Sequence, residues 1–329
     1  MKRRAFLSAT SLGALATSLP QASTVLAQTT QPFPSKPVRI IVPATAGSSD
    51  VFARAMAPRL AKLLGQPVIV EQKPGAGTNL GNDYVAKSAP DGHTILINGL
   101  PLVANRYLYS KLPYETERDL APVIQVAEIA NVITVHPSLG VNDLRGLIAL
   151  AKSDPGKLNY GTPGAGSSGH LSAEMLQLKA GVRFTHVPYQ GNARATNDHL
   201  GGTLQIGFVN MPVGLQFVRT GKLRAVAVTS MKRFDQLPDV PTVNEALGMT
   251  DYELTGWFGL MVQSKTPPEI IARLEADVGA VLKDPSYIEV LRAAGADVIG
   301  GTRADFARRM QVESERLGDL IRRSGAKAD

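Results

Sequence analysis

The chain has 329 residues, with 35 lysines and arginines against 28 aspartates and glutamates, a formal charge of +7 and no cysteine. The missing cysteine excludes a disulfide framework, a thiolate metal site and a cysteine nucleophile. Removing the three cations Lys2, Arg3 and Arg4 lowers the charge from +7 to +4; what remains is interspersed with acids and has no basic run flanked by aromatics, which argues against a nucleic-acid partner.

Those three cations open an acid-free stretch that runs to Ala27, so residues 1–27 read as a signal peptide. Within it, Arg3-Arg4-Ala5-Phe6-Leu7 has the form of a twin-arginine signal, with an ordinary secretory signal as the alternative. Residues 28–36 are polar and proline-bearing, and read as a flexible leader, with order expected from Pro37. No later stretch has the roughly 18 consecutive apolar residues of a membrane span.

From Pro37 the pattern is strand, turn, helix. Residues 38–44 form a near-continuous apolar run of the kind a buried strand needs, and Thr45 to Ser49 are a small-residue turn. Asp50 is the expected N-cap of a helix on which Phe52, Ala55, Met56, Leu60, Leu63 and Leu64 recur at helical spacing, and Gly65 stops it. Strands follow at 68–70 and 94–98 around a helix at 80–88. The span 123–135 reads as extended, 141–152 as a helix, 159–162 as a strand, 169–179 as a helix and 184–189 as a strand. Two more strands are expected at 206–209 and 224–229, with a short helical stretch at 213–218 between them. After an extended segment at 256–263 the chain turns mostly helical, at 268–282, 285–294 and 302–323, with one late strand at 297–299.

This alternation predicts an α/β fold with parallel sheets covered on both faces. Two extended apolar segments, 131–135 and 257–262, are the expected crossings between two lobes. The division is then a discontinuous first domain, 37–134 plus 259–329, and a second domain, 135–258, joined by two hinge strands. Ligands in open α/β sheets bind beyond the carboxyl ends of the strands, so the cleft between the lobes is the expected site.

Two segments in that position carry chemistry. Pro43-Ala44-Thr45-Ala46-Gly47-Ser48-Ser49-Asp50 joins a strand to a helix start through small residues, which let a ligand reach backbone N–H groups at the positive end of the helix dipole. An ordinary βα turn with a capping aspartate reads equally well from it alone. Tyr160-Gly161-Thr162-Pro163-Gly164-Ala165-Gly166-Ser167-Ser168-Gly169-His170 repeats the arrangement in the other lobe, so two helix N-termini could clamp an anion. Gly75-Ala76-Gly77-Thr78-Asn79-Leu80-Gly81 departs from the dinucleotide fingerprint in spacing and reads better as a flexible loop entering a helix. Ser167 lies in a poor version of a nucleophile elbow, with Ala165 where glycine is usual, and no histidine follows late enough for the common triad order. His93, His136 and His199 read as turn or surface residues, and no zinc spacing is present. Trp257 and Phe258 read as core or as a wall of the cleft.

The mature sequence resembles the solute-binding proteins of tripartite tricarboxylate transporters, the Bug family. The resemblance runs through Gly65-Gln66-Pro67-Val68, Pro74-Gly75-Ala76-Gly77, Ala89-Pro90-Asp91-Gly92, His136-Pro137-Ser138, Pro155-Gly156-Lys157-Leu158-Asn159-Tyr160-Gly161, His186-Val187-Pro188-Tyr189, Leu237-Pro238-Asp239-Val240-Pro241-Thr242 and Trp257-Phe258-Gly259. It implies a two-lobed periplasmic binding protein of type II-like fold, a monomer that closes on a small carboxylate for a membrane permease and uses no cofactor or metal. Position by position, Ala46, Gly47, Ser48, Ser49 and Asp50 match the first anion loop. Thr162, Gly164, Ser167, Ser168 and His170 match the second, and Asn98 and Asn210 fall at loops facing the cleft.

Two departures bear on the cargo. The first loop lacks the family's common proline and double glycine. Val209 stands where amino-acid-binding relatives tend to have an aspartate, and an ammonium buried without a carboxylate is costly. The expected ligand is therefore a dicarboxylate, a hydroxy acid or an aromatic carboxylate without an amine. An exported hydrolase using Ser167, and a ligand-binding sensor component, remain the alternatives.

Overall fold

The computed structural model describes residues 33–45 and 47–328; the segment 1–27 read as a signal peptide, residues 28–32 of the expected leader and Ala46 lie outside them. The chain is held from Phe33 onwards, earlier than Pro37. Phe33 packs edge-on against His93, with ring centroids 5.0 Å apart, and the Ser35 N–H donates to His93 Nε2 at 3.2 Å.

The first lobe is built on β1 (Val38–Val42), β2 (Val68–Gln72), β3 (Thr94–Gly99) and β4 (Leu120–Ile129). Between them lie α1 (Ser48–Leu64), α2 (Asn79–Ala86), α3 (Pro101–Leu108) and the short α4 (Thr116–Asp119). After Ala130 the chain enters the second lobe as β5 (Asn131–Val135). That lobe continues through α5 (Leu144–Ser153), β6 (Asn159–Thr162), α6 (Ser168–Ala180), β7 (Thr185–Pro188), α7 (Asn192–Leu200) and β8 (Ile206–Asn210), and closes with α8 (Met211–Arg219), β9 (Arg224–Val228) and α9 (Val243–Leu247). The return to the first sheet is β10 (Gly256–Gln263), followed by α10 (Pro268–Leu282), α11 (Pro285–Ala293), β11 (Asp297–Gly300) and α12 (Arg303–Ser324).

The two sheets have the orders β11-β4-β10-β3-β1-β2 and β7-β6-β8-β5-β9. They are mixed, not parallel as the alternation predicts. β1 pairs in parallel with β2 and β3, and β6 with β7 and β8, but β10 runs antiparallel to β3 and β4, and β5 antiparallel to β8 and β9. Two of the odd strands, β5 and β10, arrive from the other lobe with no crossover helix of their own lobe before them, so nothing enforces a parallel entry; the third, β11, follows α11 and pairs antiparallel with β4 at the sheet edge. Segments 131–135 and 257–262 each lie wholly within one sheet, and the passages between lobes fall at Ala130 and between Thr229 and Gly256.

Each sheet is buried on both faces. In the first lobe one face packs under α1, α10 and α11, through Phe52, Met56, Leu60, Leu274, Val278 and Tyr287, and the other under α3 and α12, through Leu102, Val103, Phe306 and Leu317. In the second, Leu144, Leu147, Leu176 and Val243 cover one face, and Met211 and Leu215 of α8 the other. α6 serves both lobes, because Leu171 joins the first lobe's core and Met175 packs against both. α1 ends where Gly65 adopts φ 67°, a left-handed cap that glycine takes at no steric cost.

Leu60 is fully buried between α1 and the first sheet. Leu60→Ala should destabilise the protein by about 2–5 kcal/mol. Urea titration followed by circular dichroism measures it, and a loss under about 1 kcal/mol would contradict this packing.

Candidate functional site

Strand direction puts helix starts at the cleft. α1, α2, α3, α6, α7 and α8 each begin within three residues of a residue that lines one cavity of about 70 Å³. Each such start leaves N–H groups without an intrahelical partner and adds the positive end of a dipole. Among the described residues, no charged side chain lines this cavity. Its walls include Leu100, Pro101, Pro163, Ala165, Trp257 and Phe258, and its polar groups are hydroxyls, amides and backbone.

Eight of the sequence-predicted residues meet there: Gly47, Ser48, Ser49 and Asn98 from the first lobe, and Gly164, Ser167, Ser168 and Asn210 from the second. Four do not line it, and Ala46 lies outside the described residues. Asp50 is no cap: Gly47 caps α1, and the Asp50 carboxylate accepts from Arg54 Nε at 2.8 Å and Gln72 Nε2 at 2.8 Å. Burial pushes its pKa up, but these two bonds outweigh it and hold the carboxyl below the usual range. Val209 packs against α8 with Val132 and Leu215, on the sheet face opposite its neighbour Asn210, as strand alternation requires.

Thr162 and His170 buttress the second loop from behind. Thr162 Oγ1 lies 2.7 Å from His186 Nε2 and accepts from the Gly164 N–H at 3.3 Å, while the Gly166 N–H donates to His170 Nδ1 at 3.2 Å. The two imidazoles stack with centroids 4.3 Å apart. Burial, together with the neighbouring His186, pushes His170 down to about 3, and burial brings His186 to about 4. Ser167 caps α6 by accepting from the His170 N–H at 3.3 Å and donates to the Gly164 carbonyl at 2.7 Å, so its hydrogen goes to backbone and not to an imidazole.

The sequence offered no sign of the amide networks that hold these walls. Asn131, at the entry to β5, is the hub of one. It receives Ser168 Oγ at 3.0 Å and Asn210 Nδ2 at 2.6 Å on Oδ1, and donates to Ser172 Oγ at 3.0 Å. Its N–H donates to Thr229 Oγ1 at 3.0 Å, which in turn donates to the Leu254 carbonyl at 2.8 Å, so both passages between lobes are tied to the cavity wall. Reasoning from sequence also missed Thr45, Gly77, Thr78 and Asn192 as lining residues. Pro101 at the first position of a helix, directly after a strand ending in Gly99, was a readable signal for the α3 junction. Thr45 Oγ1 donates across the cleft to the Gln190 carbonyl at 3.0 Å.

His199, expected at a turn or surface, is buried against β8. Its Nδ1 lies 2.9 Å from the Leu204 carbonyl, so Nδ1 carries the hydrogen and Nε2, 2.9 Å from Thr134 Oγ1, accepts. Gly207 makes the room, since a Cβ there would stand 2.7 Å from the imidazole. His93 is buried as well. Among the described residues no group of three or more candidate ligands could hold a metal.

The model of the tripartite tricarboxylate transporter family receptor matches residues 52–326. The chain is 36% identical to the protein BugT of Bordetella pertussis over 298 residues, covering 90% of this chain and 91% of that one. Among solved structures, an adipate-bound protein of R. palustris superimposes with a TM-score of 0.85 at 34% identity, over 89% of this chain and 98% of the other. MatC of Rhodopseudomonas palustris with bound malate gives 0.83 at 30%, over 88% and 100%. The periplasmic binding protein BugD gives 0.84 at 30%, over 90% and 99%.

The buried histidines set a pH dependence. Burial holds His199 at about 4, as it holds His170 at about 3 and His186 at about 4, against 6.5 for an unfolded histidine. Below 6.5 the unfolded chain binds protons that the folded one refuses, so stability is full above that pH and falls as pH drops towards 4. Thermal melts should show a declining midpoint already between about pH 6.5 and 5, before carboxylates titrate. A flat midpoint over that window would contradict the neutral, buried assignment.

Proposed function

The chain belongs to the tripartite tricarboxylate transporter receptor family, and from that premise we propose that it captures a small organic carboxylate without an amine in the periplasm and hands it to a membrane permease. The observation that carries this is the cavity on which six helix starts converge with, among the described residues, no charged side chain in its wall. N–H groups and dipole ends attract a carboxylate and need no lysine or arginine to do so. The same wall offers an ammonium no carboxylate partner, and an ammonium taken from water into such a place is costly. This argument replaces the one from Val209, whose side chain packs away from the cavity.

Size and polarity narrow the cargo further. A volume of about 70 Å³ is the liquid share of roughly two waters, so the site suits only a small cargo. Trp257, Phe258, Leu100 and Pro101 supply apolar surface against which a short carbon chain would lie. The adipate and malate held by the two similar structures are acids of this kind. A ligand that touches both lobes binds the closed arrangement better than the open one, so capture and closure are a single equilibrium.

A thermal-shift screen tests the reading, since a ligand bound only by the folded state raises the melting midpoint. Short aliphatic dicarboxylates and hydroxy acids should raise it; L-aspartate and L-glutamate should not. A shift with the amino acids and none with the plain acids would overturn it. Ser49→Asp puts a carboxylate in the first turn of α1, where the dipole tolerates it. Affinity for the best acid should fall about 100-fold or more by calorimetry while the midpoint of the free protein stays close to that of the parent.

A further inference from the structure

The loop between β2 and α2 is the most strained segment among the described residues, and it faces the cavity. Four consecutive residues have positive φ: Gly75 at 138°, Ala76 at 47°, Gly77 at 57° and Thr78 at 79°. Glycine takes such angles freely, but a β-branched threonine does so only where its surroundings hold it. Gly77 and Thr78 both line the cavity.

What holds Thr78 is a buried amide network. Thr78 Oγ1 accepts from Asn98 Nδ2 at 3.2 Å and from Asn82 Nδ2 at 3.4 Å. Asn98 also donates to Asn82 Oδ1 at 2.8 Å, Asn82 to the Tyr114 hydroxyl at 2.8 Å, and Tyr114 to Asn79 Oδ1 at 2.8 Å. Asn105 Nδ2 closes the set by donating to Asn79 Oδ1 at 2.7 Å and to the Gly77 carbonyl at 2.8 Å.

Counting hydrogens then separates scaffold from reader. A hydroxyl has one hydrogen and two lone pairs. Both lone pairs of Thr78 are taken by amide donors, and among the described residues its hydrogen meets no acceptor. The cavity-facing groups named by the family resemblance are the opposite. Both Asn98 hydrogens go to Thr78 and Asn82, both Asn210 hydrogens to Asn131 and Ser168, and the Ser167 and Ser168 hydrogens to Gly164 and Asn131. Their side chains have no hydrogen left for a ligand. Ser48, Ser49, the Asn192 amide and the Trp257 Nε1–H are also unspent, but the serines and Asn192 stand at the starts of α1 and α7, beside N–H groups that would take one carboxylate, and the Trp257 and Asn192 groups are held by no network comparable to the one around Thr78.

We propose that Thr78 is a specificity-determining residue: its hydroxyl, fixed by Asn82 and Asn98, donates to a second carboxylate on the cargo, so that the site selects diacids over monoacids. The proposal rests on the carboxylate reading above. The strain has a use in this account, because the left-handed backbone turns the hydroxyl of a cap residue towards the cavity, and the network fixes which way its hydrogen points before any ligand arrives.

Calorimetry of the purified mature protein with succinate, glutarate and adipate, each against the monoacid of equal chain length, tests it. The parent should bind at least one diacid about tenfold or more tightly than its matched monoacid. Thr78→Val should lose most of that preference by weakening the diacid alone, and Thr78→Ser should keep it. A parent that binds the matched acids equally overturns the proposal before any substitution. Equal weakening of both acids by Thr78→Val also overturns it, since that is the mark of a merely structural role. Should Thr78→Val not fold, Thr78→Ser decides: loss of the preference with the hydroxyl retained overturns the proposal, and its retention supports it. A parent that binds neither acids nor diacids overturns the carboxylate reading itself, a result distinct from all of these.

Discussion

A cavity that must attract an anion without a cation depends on where helices begin. In both lobes the strands that precede α1, α3, α6, α7 and α8 run towards the cleft, so the following helices start there and their unpaired N–H groups gather around one volume. A lysine would bind an anion too, but it would carry its own hydration and a flexible stem into the site. Backbone groups at helix starts are already fixed, and their orientation adds no ordering cost when the ligand arrives.

The absence of charge shifts the burden to hydrogen-bond accounting. An amide or hydroxyl at the wall needs a partner from the protein or from the cargo, because an unpaired buried polar group costs about as much as a lost bond. Asn131 satisfies Ser168 and Asn210 on one side, and Asn79 satisfies Tyr114 and Asn105 on the other. Asn131 has a second consequence, since it sits at one passage between lobes and its N–H reaches Thr229 at the other. The polar wall is thus built onto the two passages between lobes. With α6 packed against both lobes and Thr45 bonded to Gln190 across the mouth, relative motion of the lobes would disturb the wall, and the proposed function uses this to link occupancy to closure.

Much of this was legible in the sequence where periodicity is strong. β6, β10 and α10 lie at the expected residues, and both small-residue loops reach the cavity. Three things were not legible, each for a physical reason. Strand direction depends on which lobe a strand arrives from, and periodicity carries no such information, so the antiparallel entries of β5 and β10 were missed. The face of a strand-end residue follows from register: Val209 and Asn210 are neighbours in sequence, but only Asn210 lines the cavity. The loop at 75–78 read as flexible because glycines permit many conformations; what fixes it is a set of asparagines from α2, β3 and α3 joined through Tyr114, and the contacts to Asn98, Asn105 and Tyr114 leave no local pattern. The buried His199 was missed on the same ground, since its partners Thr134 and Leu204 and the space at Gly207 come together only in the fold.

The central claim is that backbone groups at helix starts, and no cationic side chain, hold the cargo's carboxylate. A crystal structure of the mature protein with the tightest-binding acid tests it most directly. The account predicts a carboxylate oxygen about 2.7–3.2 Å from N–H groups in the first turns of α1 and α6, with no lysine or arginine in contact. A carboxylate paired with an arginine or lysine elsewhere on the surface, with the cavity holding only water, would contradict it.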